Sequence, residues 1–196
     1  MLAKVNSCAV VGIDGVLIEV EVDIAQGLPA FNIVGLPDAA VQESKERVRA
    51  AIKNTGYVFP RTRITVNLAP ADIRKGGPAY DLPIAVGILM AMDTLPADVE
   101  NAVFMGELSL DGGVRHVSGV LPMANLAQQA GYTTLFVPEA DAPEASLVDG
   151  VSVYPVQNLL QLVDHLGGHA SMTAFEAQHT LNPDEPPVTD FAEIKG

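Results

Sequence analysis

The sequence predicts an α+β domain, a mixed sheet packed with helices. Strand patterns fill the first 35 residues, and helix and strand patterns then alternate to about residue 167. Of the 196 residues, 48% are apolar, enough for a core. Residues 16–25 alternate strictly, with Val16, Ile18, Val20, Val22 and Ile24 on one side and Glu19, Glu21 and Asp23 on the other. That is the mark of a strand with one wet face. A strand near 3–12 and another near 30–35 predict a meander, with turns at Asp14-Gly15 and across Gly27 to Pro29.

Residues 38–54 read as a helix, with Asp38 as N-cap, Val41, Val48 and Ile52 as the apolar stripe and Gly56 as the stop. Ile64, Val66 and Leu68 mark a strand over 62–68, and Pro70 to Pro78 is a loop. Asp81 is expected to cap the next helix, with Pro83 in its first turn. The apolar run Leu82 to Met92 is too short to cross a membrane, which takes about 20 residues, so it reads as a buried helix. A hairpin over 102–117 turns at Asp111-Gly112. Helix 119–130, strand 133–137, a short helix near 142–147, strand 151–154 and helix 156–166 follow. From residue 168 the chain is acidic and proline-rich, with Asn182-Pro183-Asp184-Glu185-Pro186-Pro187, and reads as a linker.

Net charge is −13, which excludes a wholly basic nucleic-acid coat. Eight of the 11 cations nevertheless fall in residues 41–80, so an anionic partner must be sought there. Lys45, Arg49 and Lys53 recur every four residues on one helical stripe. Arg74 and Lys75 on the following loop, and Arg61 and Arg63 on the neighbouring strand, complete a candidate nucleic-acid surface. Arg47 is matched by Glu43, four residues earlier. The same stripe also fits a solvated helix face or a contact to an acidic neighbouring subunit. Tyr57 and Phe59 alone offer aromatic rings among these cations. A single cysteine, Cys8, excludes an intramolecular disulfide and a cysteine-based zinc cluster. With no signal-peptide pattern at the start, a cytoplasmic location is expected.

No metal site is expected. His165 and His169 have a suggestive spacing, but Gly167-Gly168 breaks the helix between them, and His116 and His179 are isolated. Glu139 and Asp141 read as solvated surface acids. Gly76-Gly77 before a helix reads as a tight turn, since Asp81 at the helix start repels an anion.

Four segments are specific in combination. They are Asn32-Ile33-Val34-Gly35-Leu36-Pro37-Asp38, the run from Asn67 to Gly77, Tyr80-Asp81-Leu82-Pro83-Ile84-Ala85, and Gly106-Glu107-Leu108-Ser109-Leu110-Asp111-Gly112. Together they resemble the N-terminal domain of the YifB/ComM family of magnesium-chelatase-like AAA+ ATPases, over about residues 1–167. The resemblance implies the fold of the Lon proteolytic domain, which is that of the second domain of ribosomal small-subunit protein five. It also implies a division into that domain at 1–167 and a linker at 168–196, with Asp190 to Gly196 resembling the entry into an ATPase module. ATP and Mg would belong to that module, since this chain has no Gly-Lys dipeptide and hence no phosphate-binding loop of the Walker type. Implied partners are the ATPase module, neighbouring subunits of a hexamer, and DNA in branch migration during natural transformation, with no membrane.

Lon-type domains cut peptides with a Ser–Lys dyad. By the same resemblance the serine position is Ala79, within Gly77-Pro78-Ala79-Tyr80-Asp81, and the lysine position is Leu121, after Ser118-Gly119-Val120. A methyl group cannot attack a carbonyl and an isobutyl group cannot accept a proton. The expectation is a domain without catalysis, cofactor or metal; the alternative is a diverged peptidase or a magnesium-chelatase-type enzyme component.

Overall fold

The computed structural model describes residues 1–11, 14–95 and 98–176. In chain order the elements are β1 (Leu2–Val11), β2 (Asp14–Ala25), β3 (Ala30–Val34), α1 (Ala39–Asn54), β4 (Arg63–Ala69), α2 (Asp81–Ala91), β5 (Ala102–Phe104), β6 (Glu107–Leu108) and β7 (Val114–Arg115). They continue with α3 (Val120–Gln129), β8 (Thr134–Pro138), a 3-10 turn (Glu139–Asp141), α4 (Ala142–Ala145), β9 (Ser152–Val156) and α5 (Leu159–Leu166). Seven strands form one mixed sheet in the order β3-β4-β2-β1-β5-β8-β9, and β6 and β7 form a separate hairpin.

The expected meander does not form. β4 lies between β2 and β3, antiparallel to β2 and parallel to β3. Core burial explains the order. The registers Val20↔Leu68, Val22↔Val66 and Ile24↔Ile64 extend through Ile64↔Phe31 and Val66↔Ile33, placing apolar rows on one face. Parallel strands need a long connection, and α1 supplies it. Asp14 and Gly15, expected as the turn, instead begin β2. The opposite face of β2 is only partly wet. A Cβ on Gly15 would meet the Pro122 carbonyl at 2.9 Å, so α3 lies directly over it, and Leu17 packs in the same layer.

Helices cover both faces. Val41, Val48 and Ile52 of α1, nearly all of α2, and Leu159, Leu162 and Val163 of α5 join one core. Val120, Met123, Ala124 and Ala127 of α3 join Cys8, Val103, Leu135 and Val137 in the other. Asp38 caps α1 by accepting from the Val41 N–H at 2.8 Å. Asp81 does not cap α2. It is the first helical residue and its carboxylate is used elsewhere. The 102–117 region splits: β5 joins the main sheet parallel to β8, and only β6 and β7 form the hairpin, around Gly112 at φ +93°.

The chain stays on the domain beyond residue 167. Phe175 donates its N–H to Val153 at 2.7 Å, and Met172 packs against the core. The rest of the stretch expected as a linker from residue 168, including its proline-rich part, Asp190 to Gly196 and His179, lies outside the described residues. Among the described residues no helix is long and apolar enough to cross a membrane.

Candidate functional site: a cationic groove and a histidine-lined cleft

The helical repeat places Arg49 and Lys53 at the C-terminal end of α1, where Gly56 (φ +90°) turns the chain into the Tyr57–Thr62 loop. This loop folds back beside the helix and opens a groove of about 640 Å³. Arg49, Lys53 and Arg61 line it together with Tyr57, Phe59 and Phe31. The Arg49 guanidinium lies 5.4 Å from the centroid of the Phe59 ring, which itself packs 5.8 Å from Phe31. Val58, 74% exposed, and Leu28, 82% exposed, leave this end of the molecule apolar as well as cationic. Lys45 is on the same helical stripe, one turn before Arg49.

Arg74 and Lys75 do not join them. Their loop meets the other end of α1, where Asp38 donates its N–H to the Lys75 carbonyl at 2.9 Å. A 16-residue helix, about 24 Å long, separates that end from Lys53. Lys75 is moreover fully buried, with its ammonium donating to the Pro70 carbonyl, and burial holds its pKa below the ordinary lysine value. It cannot touch a nucleic acid from there. Arg74 is exposed. Arg47 is withdrawn from the surface too. It holds Asp81 by two hydrogen bonds, 2.5 and 3.1 Å, while Glu43 stands at 3.8 Å. Asp81 also accepts from the Leu108 N–H at 3.1 Å, tying α1, α2 and β6 together.

A second hollow, about 450 Å³, lies where the loop before α2 meets the loop before α3. Ala79, Tyr80 and Gly77 line one side, Glu107, His116 and Ser118 another, and Val10 and Met123 the rest. His116 shares a short hydrogen bond with Asp141 through Nδ1. Asp141 is not the solvated acid expected from the sequence. It is buried, and its second oxygen accepts from the Val117 N–H at 3.0 Å. The hydrogen bond to Asp141, and next its charge, raise the His116 pKa above the ordinary value. Glu139 is exposed, as expected of a surface acid, and accepts from the Gln157 side-chain amide at 2.6 Å. The Gly77 N–H is taken by Asp38 at 3.3 Å, so Asp38 opposes an anion at this turn, whereas Asp81, expected to do so, is paired with Arg47. His165 accepts the Met172 N–H at 3.1 Å. Burial pushes the Cys8 thiol up to about 12, leaving it unreactive.

The sequence profile described as subunit ChlI of Mg-chelatase matches residues 20–141. The chain belongs to that family. Within it, this ChlI-family chain is 44% identical to the competence protein ComM of Haemophilus influenzae, an alignment covering 100% of this chain and 39% of ComM. It is 38% identical to YifB of Escherichia coli, over 94% of this chain and 35% of YifB. The chain thus spans less than two fifths of the length of these relatives. Lon protease 2 of Bacillus subtilis is 29% identical over 83% of this chain, in keeping with the Lon-like mixed sheet described above. Of the two residues that the resemblance sets at the Lon dyad positions, Ala79 lines the cleft. Leu121 lines a different hollow, with Pro122, Asn125 and Leu147, and is 37% exposed. Sequence reasoning missed the role of His116, because its partner Asp141 is 25 residues away and reads as a surface acid.

Proposed function

We propose that this chain is a non-catalytic Lon-like domain of a ComM/YifB-type AAA+ ATPase, serving subunit assembly and contacting DNA through the groove at the end of α1. The observation that carries the DNA contact is the convergence of Arg49, Lys53 and Arg61 on one groove of a chain whose net charge is −13. Cations so gathered bind phosphates and position a duplex without reading its sequence. The whole protein, whose relative ComM is called a competence protein, would use ATP and Mg in its ATPase module to drive branch migration in the cytoplasm during transformation. Ala79 and Leu121 support the non-catalytic part of the reading, since neither side chain performs nucleophilic or base chemistry.

Fluorescence anisotropy with a labelled duplex tests the contact. Lys53→Glu and Arg61→Glu are each expected to weaken binding by a similar factor on unrelated sequences. Three engaged phosphates give a log–log salt slope of about −2.7. A salt-independent affinity, or one untouched by both substitutions, would overturn the DNA contact. A fluorophosphonate probe is expected to leave the chain unlabelled, and modification of Ser118 would overturn the non-catalytic assignment.

A further inference from the structure

The DNA contact gives no role to the motif Pro183-Asp184-Glu185-Pro186-Pro187, which lies outside the described residues. Proline fixes φ, and a Pro-x-x-Pro stretch favours the extended polyproline helix, with little entropy left to lose on docking. Such segments seat in grooves lined by aromatic rings. This one carries two carboxylates between its prolines. Residues 177–194 hold four acids, Asp184, Glu185, Asp190 and Glu193, and no Lys or Arg.

The groove at the end of α1 has the matching features. Arg49, Lys53 and Arg61 give it charge, but a phosphate backbone makes no use of the Tyr57 ring, Pro60 and exposed Val58 that line it as well. The Arg49 guanidinium lies over the Phe59 ring, so cations and aromatic surface are interleaved. An acidic polyproline segment uses both.

The last described residues lie within reach of the groove. A Cβ on Gly112 would stand 2.6 Å from Cγ2 of Thr55 and 3.9 Å from Cβ of Leu159, so the end of α1 lies beside the start of α5. Burial, and next the charge of Asp164, raise the Tyr57 pKa, so the end of α5 acts on the groove wall too. His169 and Ala170 donate their N–H groups to the Asp164 carbonyl at 2.8 and 3.1 Å. Phe175 is tied to Val153, and the next residue of β9, Tyr154, packs 5.2 Å from His165. When extended, residues 177–183 span up to about 25 Å, whereas α5 is about 12 Å long. So short a tether holds the motif near the groove at millimolar effective concentration.

We propose that the groove at the end of α1 receives this chain's own Pro183–Pro187 segment, with the prolines against Tyr57 and Val58 and the carboxylates against Lys53 and Arg61. The docked segment covers the cations that a duplex would meet, and its docking needs no nucleic acid.

The test uses the 196-residue chain without DNA, with Val188→p-benzoylphenylalanine placing a photo-cross-linker next to Pro187. After irradiation in dilute solution, mass spectrometry is expected to find cross-links within one chain, to residues 57–62 and 29–31. Lys53→Glu with Arg61→Glu, both at exposed positions, should lower their yield about fivefold or more. Asp184→Lys with Glu185→Lys should do the same without altering the groove. In about 1 M salt, where the screening length is about 3 Å, the yield should fall likewise. No cross-link, cross-links to the α3/α4 layer, or cross-links that join two chains overturn the proposal. So does a groove cross-link that survives either pair of substitutions or high salt. Should the groove pair fail to fold, the acid pair decides. With no nucleic acid present, failure of this docking is told apart from failure of the DNA contact.

Discussion

Arg47 is the cation that meets the fully buried carboxylate of Asp81. Removing one partner of such a pair strands the other charge away from water. Arg47→Met is therefore expected to cost about 3–5 kcal/mol in a urea titration, far more than loss of the 3.8 Å contact to Glu43 could explain. A cost below about 1 kcal/mol, the range of surface ion pairs, would show that Asp81 finds other solvation. The pair is hidden in the sequence because 34 residues separate its members. Local spacing instead offers Glu43 to Arg47 and makes Asp81 a helix cap. The His116–Asp141 bond is concealed for the same reason, and it has a pH signature. Its hydrogen bond, then its Coulomb attraction, raise the folded-state pKa of His116 above 6.5, with Glu144 adding a smaller push in the same direction. The unfolded chain lacks these partners. The pairing thus contributes fully below pH 6.5 and fades as pH rises through the folded-state value. The melting-temperature gap between the parent and His116→Ala should be widest on the acid side and close on the alkaline side; a gap that widens with pH would contradict the pairing.

At the level of elements, the strict alternation of β2 and β4 and the capped stripe of α1 are legible because each is amphipathic by itself. Their order in the sheet is not legible. It depends on which apolar rows continue across strands, and β4 beside β2 extends the row that β3 then finishes. α2 has a different logic. It is apolar on all sides, so its period says nothing about which face meets the sheet, and Gly87 marks the contact. A Cβ there would stand 2.7 Å from Cγ2 of Val22, a β-branched side chain with little rotamer freedom. Gly87→Ala should gain about 1 kcal/mol of helix propensity, yet overpacking against β2 costs about 1–3 kcal/mol. The expected outcome is net destabilisation by thermal and urea unfolding. A stabilised variant would mean that α2 rides higher on the sheet than this geometry describes.

Over the whole molecule, charge is arranged in three dimensions more sharply than along the chain. Residues 41–80 hold most of the cations, but folding sorts them. Arg47 turns inward to Asp81, Lys75 is buried, Arg74 goes to the far end of α1, and Arg49, Lys53 and Arg61 remain together. Sequence thus located the candidate surface to one helix and its neighbours, and the fold of one loop then decided which cations share a groove. The acids Glu144 and Asp149 belong to the α3/α4 layer, across the sheet from α1. A helix–sheet–helix sandwich about 20 Å thick exceeds the Debye length of about 8 Å at physiological ionic strength. Glu144→Gln with Asp149→Asn should accordingly leave duplex affinity within about twofold there, while Lys53→Glu with Arg61→Glu lowers it about tenfold or more. At about 0.01 M salt the screening length grows to about 30 Å, and the same neutralisation should strengthen binding. If removing the distant acids matters equally at both salt concentrations, DNA reaches the α3/α4 layer directly, and the groove is not its principal site.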